Sequence, residues 1–257
     1  MHWGAIGLCH TGTVVLPQSP RPLARVILGT IACALLATTA LAARTPPGLP
    51  DNLPPAERAR LQEVTQAAAV TTYVEGEPFV GRREIFEFLL DHPEFATHVT
   101  RALRLARYRI WRDGAGLHLD DGWGVVGSFE LVYTGGTTRI MYAKGRYEHR
   151  ILPNINGEAV VVVAYDVRPA EAGRNSITTA VTGFVKLENR LLAMVGRVAR
   201  TLASAKADKE AQRLVKTFAR ASRAVEENPG GVYEQIRQRP DVPARDLEDF
   251  RRLLNLR

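Results

Sequence analysis

Cysteine is almost absent from this chain of 257 residues: Cys9 and Cys33 are the only two, and both precede residue 43. The rest of the chain can therefore form no disulfide, thiolate metal site or thiol nucleophile, and its stability has to come from a packed core. Long apolar runs are lacking too. The best, 26–36, falls short of the roughly 20 residues a membrane-spanning helix needs. Histidine is sparse, and the four after residue 42 (His92, His98, His118 and His149) show neither an HExxH pattern nor a pair four apart on one helix. No metal site and no cofactor are expected from that spacing. Nor does any stripe of interleaved basic and aromatic residues appear, so nucleic acid is not an expected partner. No internal repeat is evident.

What the chain does have at its start is an export pattern. Arg21 and Arg25 precede the apolar run, and Ala40-Leu41-Ala42 fits a small-x-small cleavage rule. Cleavage is expected after Ala42, giving a periplasmic or secreted protein; an uncleaved N-terminal anchor is the alternative. Lipidation of Cys33 is disfavoured, because Thr30 stands where leucine is expected and the apolar run continues past the cysteine. Of 34 basic residues, removal of Arg21 and Arg25 leaves 32 against 27 acidic ones, net +5. Much of that excess lies between Arg197 and Arg223. Such a face can rest on anionic headgroups, although the interspersed acids suit an ordinary solvated helix equally well.

Five prolines within 44–55 mark a linker, and 56–66 suits a short helix opened by Pro54 and Pro55. Thr71-Thr72-Tyr73-Val74 predicts a first strand, and 75–81 a turn. Ile85, Phe86, Leu89 and Leu90 share a helical face. Pro93 interrupts that helix, and a second follows at 95–103. Period-two alternation then predicts strands at 106–112, 116–119, 124–133, 137–150, 159–166 and 176–187. Short Gly-rich connections make these strands antiparallel neighbours in a meander. Val160–Val163 is apolar on both faces, as in a strand covered on both sides. A single amphipathic helix is predicted over 186–227, so long that it either breaks near 204–208 or protrudes. Asn228-Pro229-Gly230-Gly231 ends it, and one or two short helices joined at 240–243 complete the chain.

The order of these elements resembles the helix-grip superfamily, which includes START-like (SRPBCC) lipid-binding domains, Bet v 1-like proteins and polyketide cyclases. The resemblance rests on Thr71–Val74, on Ile85-Phe86-Glu87-Phe88-Leu89-Leu90-Asp91 (a "vFefl.D" pattern after a short turn), on the strand run and on the entry to the long helix at 184–189. It implies an α+β fold in which a curved antiparallel sheet wraps around a long C-terminal helix, with two short helices after the first strand. It also implies a cavity between sheet and helix. The expected organisation is a signal peptide (1–42), a linker with a short helix (43–66), the helix-grip domain (67–227) and a helical tail (228–257).

No catalytic constellation stands out, and no catalytic residue is expected. A cyclase would need an acid and a base inside the cavity, and Glu130 alternates to the face opposite Phe129, Leu131 and Tyr133. Candidate ligand-lining residues are Trp111, Trp123, Phe129, Tyr133, Met141, Tyr147 and Phe184 on the sheet, with Leu192 and Met194 on the helix. Val185 and Val198 would help to close the space. The expected function is binding or transport of an apolar small molecule such as a lipid, sterol-like or isoprenoid compound. Alternatives are a cyclase or isomerase acting on a polyketide or terpenoid, and an interaction module with a filled interior. A peripheral membrane contact through the basic face of the long helix belongs to the first reading.

Overall fold

The computed structural model describes residues 48–148 and 154–256, without the side chains of 172, 189–199 and 202. The export segment, His149 and the side chains of Leu192, Met194 and Val198 therefore lie outside the described residues. Among the described residues, α1 (Pro55–Gln66) leads into strands β1 (Val70–Glu75) and β2 (Phe79–Gly81) and helices α2 (Arg83–Asp91) and α3 (Pro93–Ala102). Six more strands follow: β3 (Arg109–Asp113), β4 (Gly116–Asp120), β5 (Val125–Gly135), β6 (Thr138–Tyr147), β7 (Ile155–Pro169) and β8 (Asn175–Leu187). The long helix α4 (Asn189–Glu227) and the short α5 (Pro229–Arg237) and α6 (Ala244–Leu253) end the chain.

The strands form one antiparallel sheet in the order β1-β8-β7-β6-β5-β4-β3, with β2 also paired to β8. This is the expected α+β arrangement: a meander, two short helices after the first strands, and a long helix packed on the sheet. Some details differ from expectation. The predicted turn at 75–81 contains β2, whose Phe79 is buried against β8. The long helix begins at Asn189, because β8 keeps pairing with β7 through Leu187. It is also unbroken over 39 residues, about 58 Å at 1.5 Å per residue.

Local chemistry sets the punctuation. Pro93 biases the preceding residue away from the helical region, and His92 accordingly sits at φ −120°, ψ 67° between α2 and α3. Proline then serves as an opening residue of α3, where a missing N–H costs nothing. At the start of α5 Asn228 accepts a hydrogen bond from the Gly231 amide at 2.9 Å, so the tetrapeptide that stops one helix caps the next. Within the sheet, Gly127, Gly145 and Gly157 face one another across β5, β6 and β7. A Cβ at these positions would come within 2.2, 2.7 and 2.7 Å of a neighbouring carbonyl oxygen. This row without side chains lets the neighbouring backbones approach closely, the kind of position at which a sheet can bend.

Strand parity sorts the core into two faces. The inner face (Val161, Val163, Tyr165, Ile177 and Val181) packs against α2 and the second half of α4 through Phe86, Leu90, Ala211, Val215 and Ala219. The outer face (Ile140, Tyr142, Val160 and Val162) is covered by Leu61 and Val64 of α1 and by Leu53. Thus β7 is buried on both sides, as its unbroken valine run predicts. The C-terminal helices are more than a tail: Val232, Ile236, Phe250 and Leu254 share a core with Ile85, Leu89, Phe95, Val99 and Val225.

Candidate functional site

A cavity of about 90 Å³ lies between the inner face of the sheet, α2, α3 and the second half of α4. Phe129 and Met141 of the sheet line it, together with Val163, Thr179 and Val181. Helices α2 and α3 contribute Phe86, Leu90, Pro93, Ala96, Thr97 and Thr100, and α4 contributes Leu214, Val215, Thr217 and Phe218. Tyr108 and Ile110 close the side nearest β3. The wall is apolar apart from four threonines and the tyrosine; no carboxylate, imidazole or cation lines it among the described residues.

Its few polar groups are mostly committed. Thr97 and Thr100 donate to helical carbonyls at 2.8 and 3.2 Å. The Tyr108 hydroxyl donates to Glu210 Oε2 at 3.1 Å, and burial, followed by that carboxylate, pushes its pKa up from the ordinary phenol value. Thr179 is 4% exposed, and its Oγ1 has no hydrogen-bond partner.

Two ionic clusters frame the cavity. On one side Arg139 of β6, with a side chain only 5% exposed, grips Asp91 of α2 through two hydrogen bonds of 2.5 and 3.0 Å. Tyr165 beside it donates to Glu87 at 2.5 Å; burial, then that bond, pushes its pKa up to about 12. Glu87 is held below the ordinary carboxylate range: burial opposes this, but hydrogen bonds from Tyr165 and Arg83 outweigh it. The aspartate of the "vFefl.D" pattern thus fastens its helix to the sheet. On the other side Lys206 lies 2.6 Å from Asp121 and 3.2 Å from Glu210, and Arg213 reaches Glu210 at 2.7 Å. The Arg213 guanidinium also lies 3.8 Å from the Trp123 ring centre. Lys206 and Arg213, counted from sequence within a basic helix face, are in fact engaged by the sheet end.

Of the nine candidate lining residues, Phe129 and Met141 are in the cavity wall. Tyr133 and Phe184 sit on the outer face beside α1. For Tyr133 the cause is a register irregularity between Leu131 and Tyr133, which reverses the side-chain parity that simple alternation would continue. Its hydroxyl donates to Asn52 at 2.9 Å. Phe184 pairs with Val160 and so shares that strand's outer parity. Tyr147 is on the inner face but packs at the far sheet end with Ile155 and Leu187. Trp111, 40% exposed, stacks on His118; Trp123, 37% exposed, carries Arg213. Val185 also packs at the far sheet end rather than over the cavity. Among the described side chains, closure comes from the second half of α4, whose apolar stripe looks like that of the first half in sequence. The contributions of α2 and α3 were legible only as helix faces, since nothing local marks which buried residue borders a void.

No group of three or more potential metal ligands occurs among the described residues, and none of their helices is long and apolar enough to cross a membrane. No protein-family model matches the chain, and no curated protein does. Among solved structures the chain is similar to a hypothetical protein of Helicobacter pylori, at 13% identity and a TM-score of 0.33, over 61% of this chain and 86% of that one. A likeness this distant assigns no family, and the fold rests on the topology described above.

Proposed function

We propose that the chain is an exported binding protein of the helix-grip type that holds the apolar part of a small molecule between its sheet and α4. The observation that carries this reading is the cavity itself: a void of about 90 Å³ with an almost wholly apolar wall, in a core that packing would otherwise fill. An engineered cavity of ~150 Å³ stays dry and takes benzene, so a space of about 90 Å³ admits only a shorter apolar segment. A complete lipid or sterol requires the wall to open. Met141, with three rotatable side-chain bonds, is the lining side chain with the most freedom to rearrange. Affinity would come from desolvation, about 0.8 kcal/mol per buried CH₂, with the unpartnered Thr179 hydroxyl as a polar contact. The absence of an acid–base pair among the lining residues supports binding over cyclase or isomerase chemistry.

The test is native mass spectrometry of the full chain purified from its host without detergent. A discrete added mass that extracts into chloroform is the expected result, and Ala96→Phe, which fills the space, should remove it. A bare mass together with no uptake of an apolar dye would overturn the reading in favour of an interaction module with a filled interior. The small volume is the observation that favours that second reading.

A further inference from the structure

The connector that gives Tyr108 and Ile110 to the cavity gives Arg104, Leu105, Ala106, Arg107 and Arg109 to a second, open groove of about 630 Å³. Arg101, Arg239 and Trp123 complete it. Five arginines lining one groove is a large concentration of like charge, and their compensation is incomplete. Asp241 takes both Arg101 at 3.1 Å and Arg239 at 3.5 Å, and Asp120 stands 3.8 Å from Arg109. Among the described residues Arg104 and Arg107 have no acidic partner.

The bland explanation is that arginines gather where helices end. Both α3 and α5 do end here, each presenting about half a negative charge. That accounts for Arg101, Arg104 and Arg239 but not for Arg107 and Arg109, which lie beyond α3 in the connector and in β3. Set against two carboxylates and two helix ends, the five cations leave about two positive charges uncompensated. The backbone adds an independent observation. Arg104 closes α3 at φ +55°, with its amide bonded to Arg101 O at 3.1 Å and the Leu105 amide to Thr100 O at 2.8 Å. Glycine is the residue suited to this left-handed closing position, and any other side chain there is strained. The chain carries that strain at a position whose side chain lies in the groove.

We propose that this groove binds a phosphate-bearing group. A dianion matches the residual charge, and planar guanidinium forks suit phosphate oxygens in bidentate fashion. The phosphate could belong to a free phosphorylated small molecule or to a phospholipid headgroup. The site does not depend on the cavity being occupied.

Calorimetric titration of the full chain with pyrophosphate, and co-sedimentation with phosphatidylcholine vesicles containing phosphatidic acid, separate these two sources. Saturable pyrophosphate binding that weakens with added salt is expected for the first, and vesicle binding that is lost in the same variants for the second. Arg107→Ala should weaken binding roughly tenfold, the effect of losing one charge-assisted hydrogen bond. Arg104→Gly should do the same while raising Tm by about 2–4 °C as the left-handed strain is relieved. A purely structural role for Arg104 cannot produce those opposite signs. Absence of binding in both arms, or binding that both variants leave unchanged, would overturn the proposal.

Discussion

The two faces of the sheet are built from the same kinds of residue, and both are covered by helix, yet the cavity described above lies on the inner one. On the outer face the 12-residue α1 lays Leu61 and Val64 directly onto Ile140, Val160 and Val162. Its charged residues close a fringe around that contact: Arg60 pairs with Glu57 and Glu130, and Glu63 with Lys186 at 2.7 Å. On the inner face, three helices meet the sheet. α4 packs against that face through Ala211, Val215 and Ala219. One short helix can follow a sheet surface. A long unbroken helix and two short ones cover a sheet face less evenly, and the cavity lies where they meet it. The lesson is that hydrophobicity decides which faces are covered, whereas the arrangement of the covering helices decides where space remains.

If the inner face is held open by fixed anchors rather than by general packing, those anchors should be disproportionately sensitive. The largest effect is expected at Asp91. Asp91→Ala leaves the buried Arg139 charge without its partner and should cost about 3–5 kcal/mol, read as a loss of denaturation midpoint. The double change Asp91→Leu with Arg139→Met, which removes both charges, should recover most of it. A double variant no more stable than the single one would show that the pair positions α2 through its geometry rather than through charge compensation.

This contrast also explains what was legible in the sequence. Period-two and period-3.6 patterns located seven of the eight described strands and the helices, because side-chain parity is a local property. The valine run Val160–Val163 correctly announced cover on both faces. It could not say that α1 supplies the outer cover, since 56–66 carries no mark of its destination. Tyr133 was assigned to the inner face by alternation and turned outward by a bulge, which depends on the pairing partner and not on its own neighbours. The pattern at 85–91 placed a helix. That its aspartate answers an arginine 48 positions away on β6 is a tertiary fact with no local trace. Trp111 and Trp123 were candidate lining residues because the fold the sequence resembles tends to be hollow, whereas here they serve exposed stacking and cation–π contacts.

A smaller effect, confined to the outer face, is expected from acid. Glu158 accepts a 2.7 Å hydrogen bond from Tyr142 and contacts Lys144 at 3.0 Å and Lys186 at 3.1 Å. The Tyr142 bond, then the two lysines, hold its pKa at about 2, below the unfolded value of 4.5, against the opposing effect of burial. Because the folded pKa is the lower one, this contribution is complete above pH 4.5 and is lost as pH falls toward 2. The side chain is 24% exposed, so after allowance for screening the loss should be about 1–2 kcal/mol. Glu158→Gln should flatten that part of the stability–pH curve. An equally steep curve in the variant would move the acid sensitivity to other carboxylates, with Glu87 of the inner face, also held below its ordinary range, the first to test.

The finest comparison uses two threonines three residues apart on β8. Thr179 faces inward, 4% exposed, and Thr182 faces outward, 1% exposed; neither Oγ1 has a hydrogen-bond partner. Valine has nearly the same shape and no hydroxyl to desolvate, so each Thr→Val change should stabilise the protein by about 1 kcal/mol. On stability alone the two are equivalent, and equal rises in denaturation midpoint are expected. They should differ in ligand retention: Thr179→Val removes a buried, unpartnered hydroxyl from the cavity wall, whereas Thr182→Val lies across the sheet from it. Weaker retention of the chloroform-extractable mass in Thr179→Val, with none lost in Thr182→Val, would identify the inner hydroxyl as a ligand contact. Equal retention in both would mean that the cavity binds by shape and desolvation alone, leaving the Thr179 hydroxyl as an unrecovered cost of folding.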